Sequence, residues 1–148
     1  MDRDPALQLL LDRQEITDTL YRYGSSIDDK DRAGLRRVFT DDATARFGGR
    51  EWLTGADHIV DWIFERSKDR GWAHHHLSVF QVDVEGDTAR SLTYLTAHDT
   101  AADAPGTVWV TIGRYHDELR RTGVGWRIAR RDMEVGWRES RDAGSPGG

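Results

Sequence analysis

The chain has 148 residues, enough for one domain with its own core, and its formal net charge is -5. Its arginines are interleaved with aspartates rather than gathered in a basic stripe, which argues against a nucleic-acid partner. It has no cysteine, which excludes disulfides and thiolate zinc sites, and no apolar run of about 18 residues that would span a membrane as a helix.

The opening MDRDPALQ lacks the basic-then-apolar pattern of a signal peptide, so a soluble cytoplasmic protein is expected. Asp4-Pro5 marks a helix start, with proline in the first turn. Ile16, Leu20, Tyr23 and Ile27 then recur at helical spacing and predict one buried stripe ending near Asp28-Asp29. A short helix is expected over Asp31 to Phe39, followed by a strand through TDDATARF and a second short strand at Trp52-Leu53. Thr54 and Asp57 resemble a capping box for a third helix running to about Lys68. Beyond Gly71, residues 72–84, 88–100, 107–120 and 124–137 read as long strands joined by short turn-forming segments, three hairpins in succession. Helices come first and the sheet last, so the predicted class is α+β: three N-terminal helices packed on a strongly curved antiparallel sheet, a cone with a pocket inside. The domain is expected to occupy 1–140, with 141–148 (RDAGSPGG from Arg141) as a flexible tail.

Three consecutive histidines, His74, His75 and His76, open the first long strand. Strand alternation prevents all three from sharing a face. Phe80, Val82 and Val84 form an apolar face further along, and simple parity puts His74 and His76 with them and His75 opposite. His74 and His76 share a face, but a catalytic zinc needs a third ligand that no spacing here supplies, so no metal is expected. Asp28 sits at a helix C-terminus, where a negative charge opposes the helix dipole, so it needs a cation or an imidazole donor nearby. Arg131 shares parity with Met133, Val135 and Trp137. A cation on that apolar face wants a counter-charge, for which Asp28 is a candidate.

The stretches LDRQEI, YGSSID, LRRVFTDDA, HHLSVFQVDVEGDTA and GRYHDELRRTGVGWRIARR, in this order, resemble SnoaL-like proteins of the nuclear transport factor 2-like superfamily of α+β cones. The likeness is nearest to the branch holding scytalone dehydratase, bile-acid dehydratase and hexachlorocyclohexane dehydrochlorinase. It implies an Asp–His dyad without cofactor or metal, at Asp28 and His75, with His76 the fallback. For His75 to face the pocket, the strand must carry a bulge or bend between His75 and Phe80. Tyr23 falls where relatives carry a ligand-facing Tyr or Lys, and Arg131 where the dehydrochlorinase carries a cation. Phe47 replaces a tyrosine of the bile-acid enzyme, so a two-tyrosine arrangement like that of scytalone dehydratase is not expected. Trp52, Trp62, Trp72 and Trp109 either fill the core or, with Phe47 and His76, line a pocket for a small hydrophobic substrate.

A histidine held by a carboxylate suits proton abstraction in a β-elimination, so the leading expectation is a lyase of the dehydratase or dehydrohalogenase kind. The alternatives are an isomerase or polyketide cyclase using the same pocket, and a non-catalytic ligand-binding or oxygenase-associated cone. The resemblance further implies a homodimer, with a trimer as the alternative.

Overall fold

A computed structural model describes residues 4–144, so positions 145–148 of the expected tail lie outside the described residues. Helix α1 (Pro5–Asp28) opens on Asp4, whose carboxylate accepts the Ala6 N–H at 2.9 Å, and Pro5 fills a first-turn position that needs no donor. Its predicted stripe is the buried one, with Ile16, Leu20 and Tyr23 in the core and Ile27 packed at its margin. Helix α2 (Arg32–Arg37) is capped by the Asp31 carboxylate on the Gly34 N–H at 2.9 Å and stops short of Phe39, which begins β1 (Phe39–Phe47). After β2 (Leu53–Thr54) comes α3 (Ala56–Ser67), and here the expected capping box is absent: Gly55 holds the N-cap position and no side chain caps it. The long strands are β3 (Arg70–Glu85), β4 (Thr88–Ala101), β5 (Thr107–Thr122) and β6 (Gly125–Asp142), the last passing the expected domain boundary at 140.

The strands form one sheet in the order β2-β1-β6-β5-β4-β3. The four long strands form the predicted antiparallel meander, but β1 joins β6 in parallel, so the sheet is mixed rather than wholly antiparallel. Among the described residues single-residue bulges bend it, one at the start of β3, where Arg70 pairs with Ala101 but Ala73 with Asp99, and three further along. Val79 pairs with Thr93 but Gln81 with Leu92, leaving Phe80 as the extra residue in β3. In β6, Ala129 and Gly136 are extra in the same way. Gly113 faces the second of these bulges, where a Cβ would collide with the Glu134 carbonyl oxygen. Each bulge bends its strand and reverses which side chains face inward, which curls the sheet around α1 and α3.

One polar hub ties α1 to the meander. The buried Asp12 carboxylate accepts two hydrogen bonds from the Arg121 guanidinium (2.6 and 2.8 Å), one from the Trp126 indole (3.1 Å) and one from Gln8 (3.0 Å). The Arg121 hydrogen bonds hold the Asp12 carboxyl far below the usual carboxylate range against the opposing effect of burial, and the Trp126 indole adds to them. Replacing Asp12 with alanine is therefore expected to lower stability in urea by about 2 kcal/mol at neutral pH. A depressed native pKa contributes stability above the unfolded value, near about 3.9, that is lost as pH falls below it. The gap between wild type and Asp12→Ala should accordingly close in acid, and a gap independent of pH would contradict the assignment.

Candidate active site

The site forms where the last turn of α1 crosses β3. Asp28 ends the helix, and its carboxylate engages His75 twice: Oδ1 lies 2.5 Å from the ring Nδ1, and Oδ2 accepts the His75 backbone N–H at 2.9 Å. Burial pushes the Asp28 carboxyl up, but the His75 side-chain and backbone bonds outweigh it and hold the group below its ordinary value. An ionised Asp28 accepts, so Nδ1 carries the hydrogen and Nε2 is left as the basic nitrogen. The helix-end acid thus meets the imidazole donor that its unfavourable place in the helix dipole demanded.

The bulge at Phe80 decides which histidine faces the cone. Before it, Ala73, His75, Leu77 and Val79 turn inward; after it, Val82 and Val84 do, while Phe80 points out and stacks on Tyr94 at 4.5 Å. His74 and His76 lie on the outer face, their ring centroids 6.4 Å apart, so the expectation of His76 as a pocket residue is corrected. Among the described residues no three His, Asp or Glu side chains gather in a metal-holding group.

Close approach of α1 to β3 rests on Gly24. A Cβ there would lie 3.0 Å from Leu77 Cδ1 and 3.3 Å from His75 Cβ. Gly24→Ala gains about 1 kcal/mol of helix propensity, which the crowding offsets, so little change in melting temperature is expected. The crowding falls first on Leu77 and then on His75, so any activity assay should register a loss larger than the stability change. Unchanged kinetics would contradict a tight helix–strand contact.

His75 opens onto a cavity of about 160 Å³ inside the cone, whose lining includes Tyr23, Phe47, Trp62, Leu95, Tyr115 and Met133. A cavity of about 150 Å³ is the size that takes one benzene-like ring. Phe47 and Trp62 stack at 4.8 Å and form a flat apolar wall. Tyr23 and Tyr115 meet edge to face at 5.4 Å as the floor. Burial raises both phenols above their ordinary values, Tyr115 strongly, while the Arg131 charge opposes the rise at Tyr23, so both remain proton donors at neutral pH.

Arg131 lies beneath that floor. Its guanidinium sits 4.0 Å from the Tyr23 ring centroid and 3.9 Å from that of Tyr115, is fully buried, and donates to both Asp117 oxygens at 2.8 and 2.7 Å. Its counter-charge is therefore Asp117, directly opposite on β5, and not Asp28. Trp137, expected on the Arg131 face, is turned outward by the bulge at Gly136. Trp52 lies between the guanidinium groups of Arg46 and Arg130, at 4.8 and 3.8 Å, away from the cavity. Trp72 is exposed on the outer face, and Trp109 stands in the adjoining cleft with Arg70 over its ring at 4.1 Å. Sequence reasoning passed over Tyr115 and the arginines Arg66, Arg70 and Arg138 of the cavity lining, and Asp117, the partner of Arg131. The inward run Tyr115, Asp117, Leu119 was visible as alternation in β5, whereas Arg138 was hidden by the bulge before it.

Residues 8–132 match the SnoaL-like domain family. The chain is 34% identical over 122 residues to the uncharacterized protein Rv2910c of Mycobacterium tuberculosis, covering 81% of this chain and 82% of that one. The crystal structure of Kfla4162 from Kribbella flavida superposes with a TM-score of 0.80 at 26% identity, over 88% of this chain and 95% of that one. A type 2 hexachlorocyclohexane dehydrochlorinase, LinA, superposes with a TM-score of 0.86 at 15% identity, over 97% and 99% of the two chains, which is a likeness of fold.

Proposed function

This chain belongs to the SnoaL-like domain family, and from that premise we propose that it is a lyase that eliminates water or halide from a small cyclic, largely apolar substrate. The observation that carries the reading is the Asp28–His75 pair, with the imidazole opening onto a ring-sized cavity. His75 Nε2 takes a proton from the carbon beside the leaving group, the C–H electrons form the double bond, and the leaving group departs with its bonding pair. If it departs as hydroxide, the imidazolium returns the proton and water leaves; if as halide, the proton passes to solvent. Asp28 fixes the tautomer and stabilises the imidazolium. The Tyr23 and Tyr115 phenols donate to a substrate carbonyl or leaving oxygen, and Arg131 behind them favours negative charge developing there. Base, orienter and donors are all side chains, so the reading calls for no cofactor. A dehydrochlorinase among the neighbours in fold is consistent with it.

The phenol pair would equally hold an enolate, which keeps an isomerase or cyclase as the second reading. Mass analysis of products from a panel of hydroxylated and halogenated rings separates the two. Elimination yields a product lighter by water or hydrogen halide, whereas isomerisation conserves mass. Products of unchanged mass only would overturn the lyase reading.

A further inference from the structure

The apolar cavity has a charged mouth. Arg66 from the last turn of α3, Arg70 at the start of β3 and Arg138 near the end of β6 all line it, in a protein whose net charge is -5. None of the three forms an ion pair with a carboxylate among the described residues. Asp99 is the acidic residue on the same lining, and it forms no ion pair with any of them. Two of the guanidinium groups sit over aromatic rings, Arg70 over Trp109 at 4.1 Å and Arg66 over Trp62 at 5.0 Å from the ring centroids. Contact with a ring face leaves N–H edges of the fork for an acceptor. One of those edges, Arg70 Nη1, is buried and has no hydrogen-bond partner. A buried charged donor left without an acceptor is costly, and like charges crowd here: burial first, then Arg50, Arg138 and Arg70, lower the Arg66 pKa. An oxyanion between the three would relieve both penalties.

We propose that the mouth is an oxyanion subsite, and that the substrate is a single ring bearing a carboxylate or phosphate ester, the ring seated against Phe47 and Trp62 and the anion held by Arg66, Arg70 and Arg138. This rests on the elimination reading for the identity of the cavity as the reaction site. The fork geometry suits both oxyanions, each of which presents two oxygens to one guanidinium. The acidic surface repels anions at long range, so the positive mouth selects them locally rather than steering them from afar.

Calorimetric titration of the intact protein with benzoate, phenyl phosphate, benzyl alcohol and inorganic phosphate tests this. Benzoate or phenyl phosphate is expected to bind at least tenfold more tightly than benzyl alcohol and than inorganic phosphate, and the better of the two identifies the anion. Arg70→Gln should lose about tenfold, Arg70→Lys should recover part of it, and the double variant Arg66→Gln/Arg138→Gln keeps the test open should Arg70→Gln fail to fold. Benzyl alcohol binding as tightly as both anions, inorganic phosphate binding as tightly as phenyl phosphate, or undiminished anion binding in the folded double variant would overturn the proposal. The titration needs no turnover. Arginine-dependent binding by a protein inactive in elimination would sink the lyase reading and leave the subsite standing; elimination of neutral rings with no anion binding would do the reverse.

Discussion

Replacing His75 with alanine is expected to cut elimination by about 10²–10⁴-fold, the usual worth of a positioned general base. The carbon acid would then have only water to take its proton. Asp28→Asn should fall in a comparable range for a different reason. An asparagine oxygen still accepts the His75 backbone N–H, so the strand stays in place, but its neutral amide no longer holds the hydrogen on Nδ1 or balances an imidazolium. The native Asp28 carboxyl lies below its ordinary value, so the sign of its pH effect is clear. Asp28 therefore takes up its proton at a lower pH than an ordinary carboxyl, whose value is about 3.9, and loss of activity above that value is not its titration. The measurements are kcat/KM against pH for wild type and both variants, with melting temperatures as the folding control. An elimination rate unchanged in His75→Ala would remove this histidine from the mechanism.

Arg131→Met is expected to give the largest loss of stability in the molecule, about 3–5 kcal/mol, because it strands Asp117 as an uncompensated buried charge. For a chain of this length that is a fall in melting temperature of roughly 10 °C or more. Asp117→Leu should cost a similar amount by stranding Arg131 between two phenols. The double variant Arg131→Met/Asp117→Leu should recover much of either loss, since apolar pairs of similar volume replace buried ion pairs with little penalty. A double-mutant cycle in urea measures the coupling. Additive losses would mean that the two charges do not act as a pair.

The elements were legible in the sequence wherever they depend on local rules. The stripe Ile16, Leu20, Tyr23, the Asp4-Pro5 start and the turns at Gly86 and Gly123 are properties of short segments, and the helices and hairpins follow from them. What escaped was set by pairing between distant strands. Arg131 faces Asp117 because the bulge at Ala129 fixes the β5–β6 register, and no periodicity within β6 announces that bulge. The bulge at Gly136 likewise brings Arg138 to the cavity and sends Trp137 outward. Aromatic content foretold an apolar pocket wall, but not which rings form it: Phe47 and Trp62 do, while Trp52 is taken up by two arginines on the outside. The place of His75 was legible only through the family resemblance, because parity counted back from Val82 crosses the extra residue at Phe80.

The bond from the His75 amide to Asp28 has a consequence beyond orienting the ring. Strand β3 is outermost in the sheet, so its outward amides lack a strand to bond to. Exposed rows of that kind invite an extended segment of another chain, and they are a common starting point for aggregation. Asp28 occupies one such amide from the end of α1, acting as a gatekeeper at the margin of the sheet. A lineage that changed the chemistry at position 28 to a residue without an acceptor would therefore trade away solubility along with the imidazole's partner.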